Sequence, residues 1–383
     1  MNVNFMLKNT LKSFKYLPGW KSSRKIVVIE SDDWGSLRAP TKDGYKYLID
    51  KGLDLKDNYN KYDTLATPDD LSALFETLTL VQDKTGRNAV MTALAITANP
   101  VFSKIKESNY RSYFYEPFTE TLKRIPGCEK SFDLWKEGIS KKIFVPQFHG
   151  REHLNVQNWL RALQKGEEQT LLAFDEKIWG FNNKSIGGVS SSYLAAFDLI
   201  NRNDLLYQET VLNEGLNLFE KLFGYKATFF VAPNGPFSNS LLQTTSKNGI
   251  KFVSFASNRI EPLGSGKNKR RFHYLGQKLK YDQTVLIRNC VFEPHFGGKD
   301  WVDSCLNEIS TAFKWKKPAI ISTHRLNFIS SLDKPNRDNN LREFKSLLYH
   351  IRQKWPDVEF MSSDQLGDLI AAKKLLDTES RCD

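Results

Sequence analysis

The sequence has little that would staple it covalently or hold it in a bilayer. Its four cysteines, Cys128, Cys290, Cys305 and Cys382, show no CxxC spacing and read as free thiols, consistent with a reducing compartment. No run of about 18 apolar residues occurs, so no transmembrane helix is expected. No secretory leader is recognised either, because Lys8, Lys12 and Lys15 interrupt the apolar residues at the N-terminus. A cytoplasmic location is the expectation. Those lysines alternate with Phe5, Leu7, Leu11 and Phe14, as on a basic amphipathic helix. Residues 1–24 therefore read as a segment packed on the domain, with peripheral membrane contact as the sharper alternative. Zinc fingers, RNP-like aromatic stretches and long Lys/Arg blocks are all missing. The net charge of +11, from 55 basic and 44 acidic residues, is scattered, which fits a solvated basic surface and no nucleic-acid partner. No internal repeat or low-complexity tract breaks the chain.

What is present is a chain of 383 residues, 40% hydrophobic and 13% aromatic, enough for one large domain. Apolar strand-like runs alternate with helical patterns. Strands are expected at Ile26–Ile29, Ala89–Ala98, Lys142–Phe148, Lys226–Val231, Lys251–Phe255, Val285–Phe292, Ala319–Ser322 and Val358–Met361. Thr67-Pro68-Asp69-Asp70 opens one helix, Asn155 caps another, and Gly224 ends a third. The 40–66 stretch reads as polar and turn-rich, 264–271 as an exposed basic loop, and 165–205 resists placement. This alternation predicts an α/β fold, a (β/α) barrel of about seven parallel strands with insertions. One domain over 25–376 is expected, with an insertion around 101–140 and a flexible tail at 377–383.

The chemistry concentrates after the strands. The first apolar run breaks into Glu30-Ser31-Asp32-Asp33-Trp34, and two adjacent carboxylates at the end of a buried strand are costly unless a cation meets them. His149 and His153 are spaced i, i+4, so on a helix or tight turn they can share a metal ion. Glu152 would point elsewhere on that helix, so this is not the HExxH pattern. A carboxylate from another element, Asp33 or Asp32, is then needed. An Asp-His-His set leaves room for water and substrate, as catalytic rather than structural sites do. The second Asp could serve as base and His324, after the seventh strand, as acid.

Together these positions resemble the polysaccharide deacetylase family, metal-dependent carbohydrate esterases on a deformed (β/α) barrel. The resemblance implies Asp32 as general base, Asp33, His149 and His153 as metal ligands, and His324 as general acid. Asp300-Trp301 is similar to the family's Asp-Trp motif, which implies that Asp300 tunes His324 and Trp301 walls the acetyl pocket. Trp34, Asn234, Phe237 and Arg325 are expected to support the site or face sugar rings. The implied cofactor is a divalent metal, Zn²⁺ ahead of Co²⁺, Ni²⁺ or Mn²⁺, and the implied substrate is an acetylated amino sugar or glycan. One departure stands out. The family's third motif carries an Arg that holds the catalytic Asp, and Val231-Ala232-Pro233-Asn234-Gly235-Pro236-Phe237 has none. Arg38, Arg151 or Arg325 could supply that cation. The alternatives are another amide or imide hydrolase of the same barrel, and a catalytically impaired glycan-binding protein.

Overall fold

The computed structural model describes residues 18–55, 58–183 and 191–379. Most of the expected amphipathic segment, Cys382 and the end of the expected tail lie outside the described residues; the last helix runs Ser363–Glu379. No helix among the described residues is long and apolar enough to cross a membrane.

A sheet of nine strands forms the centre. Numbered in chain order they are β1 (Ile26–Trp34), β2 (Met91–Ile96), β3 (Phe144–Gly150), β4 (Phe229–Val231), β5 (Phe252–Ser254), β6 (Thr284–Leu286), β7 (Cys290–Val291), β8 (Ala319–His324) and β9 (Glu359–Met361). Their spatial order is β6-β5-β4-β3-β2-β1-β8-β7, with β9 paired to the start of β1. Every pairing is parallel. Between β5 and β6 the connection is an antiparallel hairpin; helices supply most of the other crossovers that parallel pairing demands. Their ends follow local chemistry. Thr67 and Asp70 form a capping box on Pro68–Thr79, Asn155 caps Val156–Gln164, and Gly224 in the left-handed region ends Leu205–Phe223.

The barrel is deformed because its path does not close. The expected strand 285–292 is two strands, β6 at one edge and β7 at the other, so Ile287–Asn289 crosses the seam. Asn289 stitches it with its side chain, donating to Pro318 O and accepting from Ile320 N. Side chains alternate across the strands. In β1, Val27 and Ile29 join the outer layer under the helices, whereas Ile26 and Val28 join Leu94, Phe229, Leu286 and Ile320 in the interior. Glu30 and Asp32 continue that interior row upwards.

Two local readings are corrected, and the 101–140 stretch shows where it packs. The 40–66 stretch holds two helices, Lys42–Asp50, capped by Thr41, and Asn58–Tyr62. The basic loop 264–271 belongs to an antiparallel hairpin, Asn258–Gly264 with Lys267–Phe272. From the 101–140 stretch, Phe118, Leu122 and Trp135 pack into the main outer core, and Ile105 joins a satellite core with Trp159, Phe174 and Trp179.

Candidate metal and active site

A cleft of about 890 Å³ opens at the C-terminal ends of the strands. Asp32, Asp33, His149, His153, Arg288 and His324 line it, with Tyr59 and Phe296 on one side and Asn234 on another.

The adjacent aspartates both reach the cleft because β1 bulges there. Ser31 pairs with Ala93 but Trp34 with Ala95, so β1 carries an extra residue between them. Asp33 takes up the distortion at φ +75°. Such a bulge re-aims a side chain that strict alternation would send to the other face. The same residue swap turns Trp34 outwards, correcting its expected place beside a sugar. It is buried against Trp135 and Phe144, with Nε1 donating to Ser31 Oγ. A second bulge lies at the end of β3, where Ala95 pairs with Phe148 and Ile96 with Gly150, and His149 sits between them.

The three expected ligands converge. Asp33 Oδ1 lies 3.4 Å from His149 Nε2 and 3.1 Å from His153 Nε2. The His149 tautomer is readable, because Nδ1 lies 2.8 Å from Val231 O and a carbonyl only accepts. A neutral His149 therefore turns its Nε2 lone pair towards Asp33 Oδ1. That oxygen is buried and lacks a hydrogen-bond partner. Two facing lone pairs in a buried site are repulsive unless a cation lies between them, so this donor set fits a divalent metal ion. It is also the one group of His, Cys, Asp and Glu side chains among the described residues disposed to hold one. His149 and His153 lie at a strand end and in the turn after it, not on a helix; the helix starts at Val156.

Each aspartate has its own guanidinium. Arg38 donates to Asp33 Oδ2 at 3.0 Å and to Asp63 at 3.1 Å, which leaves Oδ1 aimed at the imidazoles. Burial would raise the Asp33 carboxyl, but its neighbours, Arg38 among them, hold it well below the usual carboxylate range. Asp32 is held by Arg288, which no motif had indicated. Its two terminal nitrogens donate to Oδ1 and Oδ2 at 2.6 and 2.7 Å, and its Nε donates to Glu30. Burial opposes ionisation of Asp32 as well, and Arg288 overrides it, so its pKa ends below the ordinary value. The three arginines expected to fill this role are engaged elsewhere: Arg38 on Asp33, Arg151 on Glu152 and Glu214, and Arg325, fully buried, on Asp63. Arg288 had a sequence signal, a cation interrupting the apolar run Val285-Leu286-Ile287. The seam gives the reason: a residue crossing between two sheet edges can turn into the barrel mouth.

His324 continues the interior row of β8, and its Nε2 faces Asp32 Oδ2 at 3.7 Å. Its Nδ1 lies 2.5 Å from Glu293, which Asn327 also holds. Burial would lower the imidazole, but Glu293, with Asp32 and Asp33 behind it, raises its pKa to about 9. The carboxylate partner of His324 is thus Glu293. Asp300 instead is exposed and caps Trp301–Lys314, accepting from Asp303 N. Trp301 lies behind Phe296 with Nε1 on Gly297 O, and Phe237 is buried among Phe197, Phe230 and Phe255. Neither lines the cleft. Asn234 does, at a turn with φ +56°. Tyr59, whose ring meets His324 edge-on, escaped sequence reasoning because it sits in a polar stretch without periodicity.

No family model and no curated protein matches this chain. Several solved structures with a similar chain path are polysaccharide deacetylases. A Mycobacterium smegmatis protein assigned to them is 11% identical over 93% of this chain and 94% of its own, with a TM-score of 0.45. A probable polysaccharide deacetylase of Pseudomonas aeruginosa PAO1 is 8% identical over 90% and 91%, with a TM-score of 0.43. Puue allantoinase is 9% identical over 92% and 93%, with a TM-score of 0.45. Likeness this remote says nothing of activity; the residues of the cleft must do so.

Proposed function

We propose that this protein is a metal-dependent hydrolase that removes acetyl groups from an amino sugar or an acetylated glycan. The observation that carries the reading is the orphaned Asp33 Oδ1 facing two imidazoles, with the Asp32 carboxylate and the His324 imidazole beside it. Asp33, His149 and His153 would hold the ion, Zn²⁺ ahead of Co²⁺, Ni²⁺ or Mn²⁺ given two nitrogen donors and one oxygen. When bound, such an ion lowers the pKa of water towards about 7 and polarises a carbonyl. Asp32, kept ionised and oriented by Arg288, accepts the proton from the attacking water. His324, kept protonated by Glu293, donates from Nε2 to the departing amine or alkoxide. The bidentate hold of Arg288 on Asp32 supports this reading, because it supplies a cation in place of the Arg that the third motif lacks. Peripheral membrane contact through residues 1–24 remains part of the proposal.

The test is acetate release from acetylated saccharides by protein whose metal content has been measured and then stripped and restored. Acetate release that tracks metal occupancy is expected. Metal-replete protein that opens cyclic imides but releases no acetate would move the reading to the imide hydrolases.

A further inference from the structure

One wall of the cleft carries a buried cation that the proposed chemistry does not use. Arg259 is 4% exposed, on the first strand of the hairpin, and lines the cleft beside Phe255, Asn258 and Ile260. Its guanidinium packs over the Phe255 ring, 3.9 Å from the centroid. Its hydrogen bonds go to neutral groups: Phe237 O, the Asn239 side chain at 2.5 Å, and His273 Nε2 at 3.4 Å. The nearby carboxylate, Glu261, acts on it through space but is already engaged, accepting from Arg271 Nε and Asn239 N. Two guanidiniums therefore share one carboxylate, and among the described residues no ion pair to Arg259 forms. Buried charges are ordinarily paired, and burial here is severe enough to lower this guanidinium to about 10. The hairpin's second strand adds Lys267, Lys269 and Arg270, all exposed and without ion pairs among the described residues.

We infer that this wall is an anion subsite and that the saccharide carries a phosphate or carboxylate group, which Arg259 receives. The inference rests on the proposed deacetylase reading and narrows its substrate class. The three hydrogen bonds use one N–H on each guanidinium nitrogen, which leaves one on each terminal nitrogen; a planar guanidinium carries its N–H groups in a rigid fork, the geometry that oxyanions match. The hairpin cations outside attract such a substrate without touching the reacting atoms.

Three probes separate the sources of charge: UDP-N-acetylglucosamine for phosphate, an N-acetylglucosamine–glucuronate disaccharide for carboxylate, and tri-N-acetylchitotriose as the neutral control. The protein is expected to prefer one of the anionic probes. The ratio of its kcat/KM to that of the neutral one should fall about tenfold or more in Arg259→Gln and less in Arg259→Lys. Should Arg259→Gln fail to fold, wild-type salt titration decides, with KM rising for the anionic probe and flat for the neutral one. An unchanged ratio in a folded variant, or equal salt dependence for both, overturns the inference and leaves deacetylation standing. If no probe releases acetate, the deacetylase reading fails on its own. Calorimetric binding then judges the subsite, and anionic probes binding no better than the neutral one would refute it.

Discussion

Arg288 grips Asp32 with two parallel hydrogen bonds of 2.6 and 2.7 Å, across 256 positions of sequence. The same guanidinium also receives Glu30, so two interior carboxylates depend on one cation delivered by the open seam of the barrel.

Arg288→Gln should abolish most turnover, because Asp32 loses both its orientation and the charge that keeps it ionised. Removing one partner of a buried ion pair costs roughly 3–5 kcal/mol; Arg288 keeps 19% of its side chain exposed, which places the loss towards the lower end. Denaturant unfolding monitored alongside activity checks this. Wild-type stability and turnover in the variant would contradict the role given to the pair.

Asp32→Asn should eliminate acetate release while metal content stays near one per chain, since Asp32 is not in the ligand set. His153→Ala should do the reverse and lose the ion, because its Nε2 is one of three donors around Asp33 Oδ1. Atomic spectroscopy on purified variants distinguishes them. Equal metal content in both would break the division of labour between the two aspartates.

In the proposed reaction His324 donates a proton, so activity should fall as pH rises through about 9. Its folded pKa lies above the unfolded value near 6.5. Its contribution to stability is therefore full below about 6.5 and lost as pH rises through about 9. In Glu293→Gln the raising charge is gone and burial dominates, which should move the alkaline limb down by roughly one to three units. A pH–rate profile with an unmoved limb would sink this assignment. The companion change Asp300→Asn should leave the limb in place, because Asp300 caps an exposed helix end.

Trp34→Ala should destabilise the fold by about 3–5 kcal/mol, with activity falling through unfolding rather than through KM. The indole is 1% exposed and contacts Trp135 and Phe144. A stable variant with a raised KM would return Trp34 to the cleft.

The sequence by itself determined the strand–helix alternation, several helix caps and the residues that meet at the strand ends. These depend on nearest neighbours along the chain: apolar periodicity, a Thr or Asn before a helix, a Gly after it. Asp32, Asp33, His149 and His324 were legible because burying a polar residue at the end of an apolar run is costly and therefore conspicuous. Tertiary structure alone decided which partner each one has. A bulge of one residue sends Asp33 to the cleft and Trp34 to the core, and no local pattern announces the bulge. The seam splits one apolar run into two edge strands and delivers Arg288 to Asp32, while Glu293 displaces Asp300 as the partner of His324. Pairings of that kind join residues far apart in sequence, and only the closing of the sheet brings them within a hydrogen bond's length.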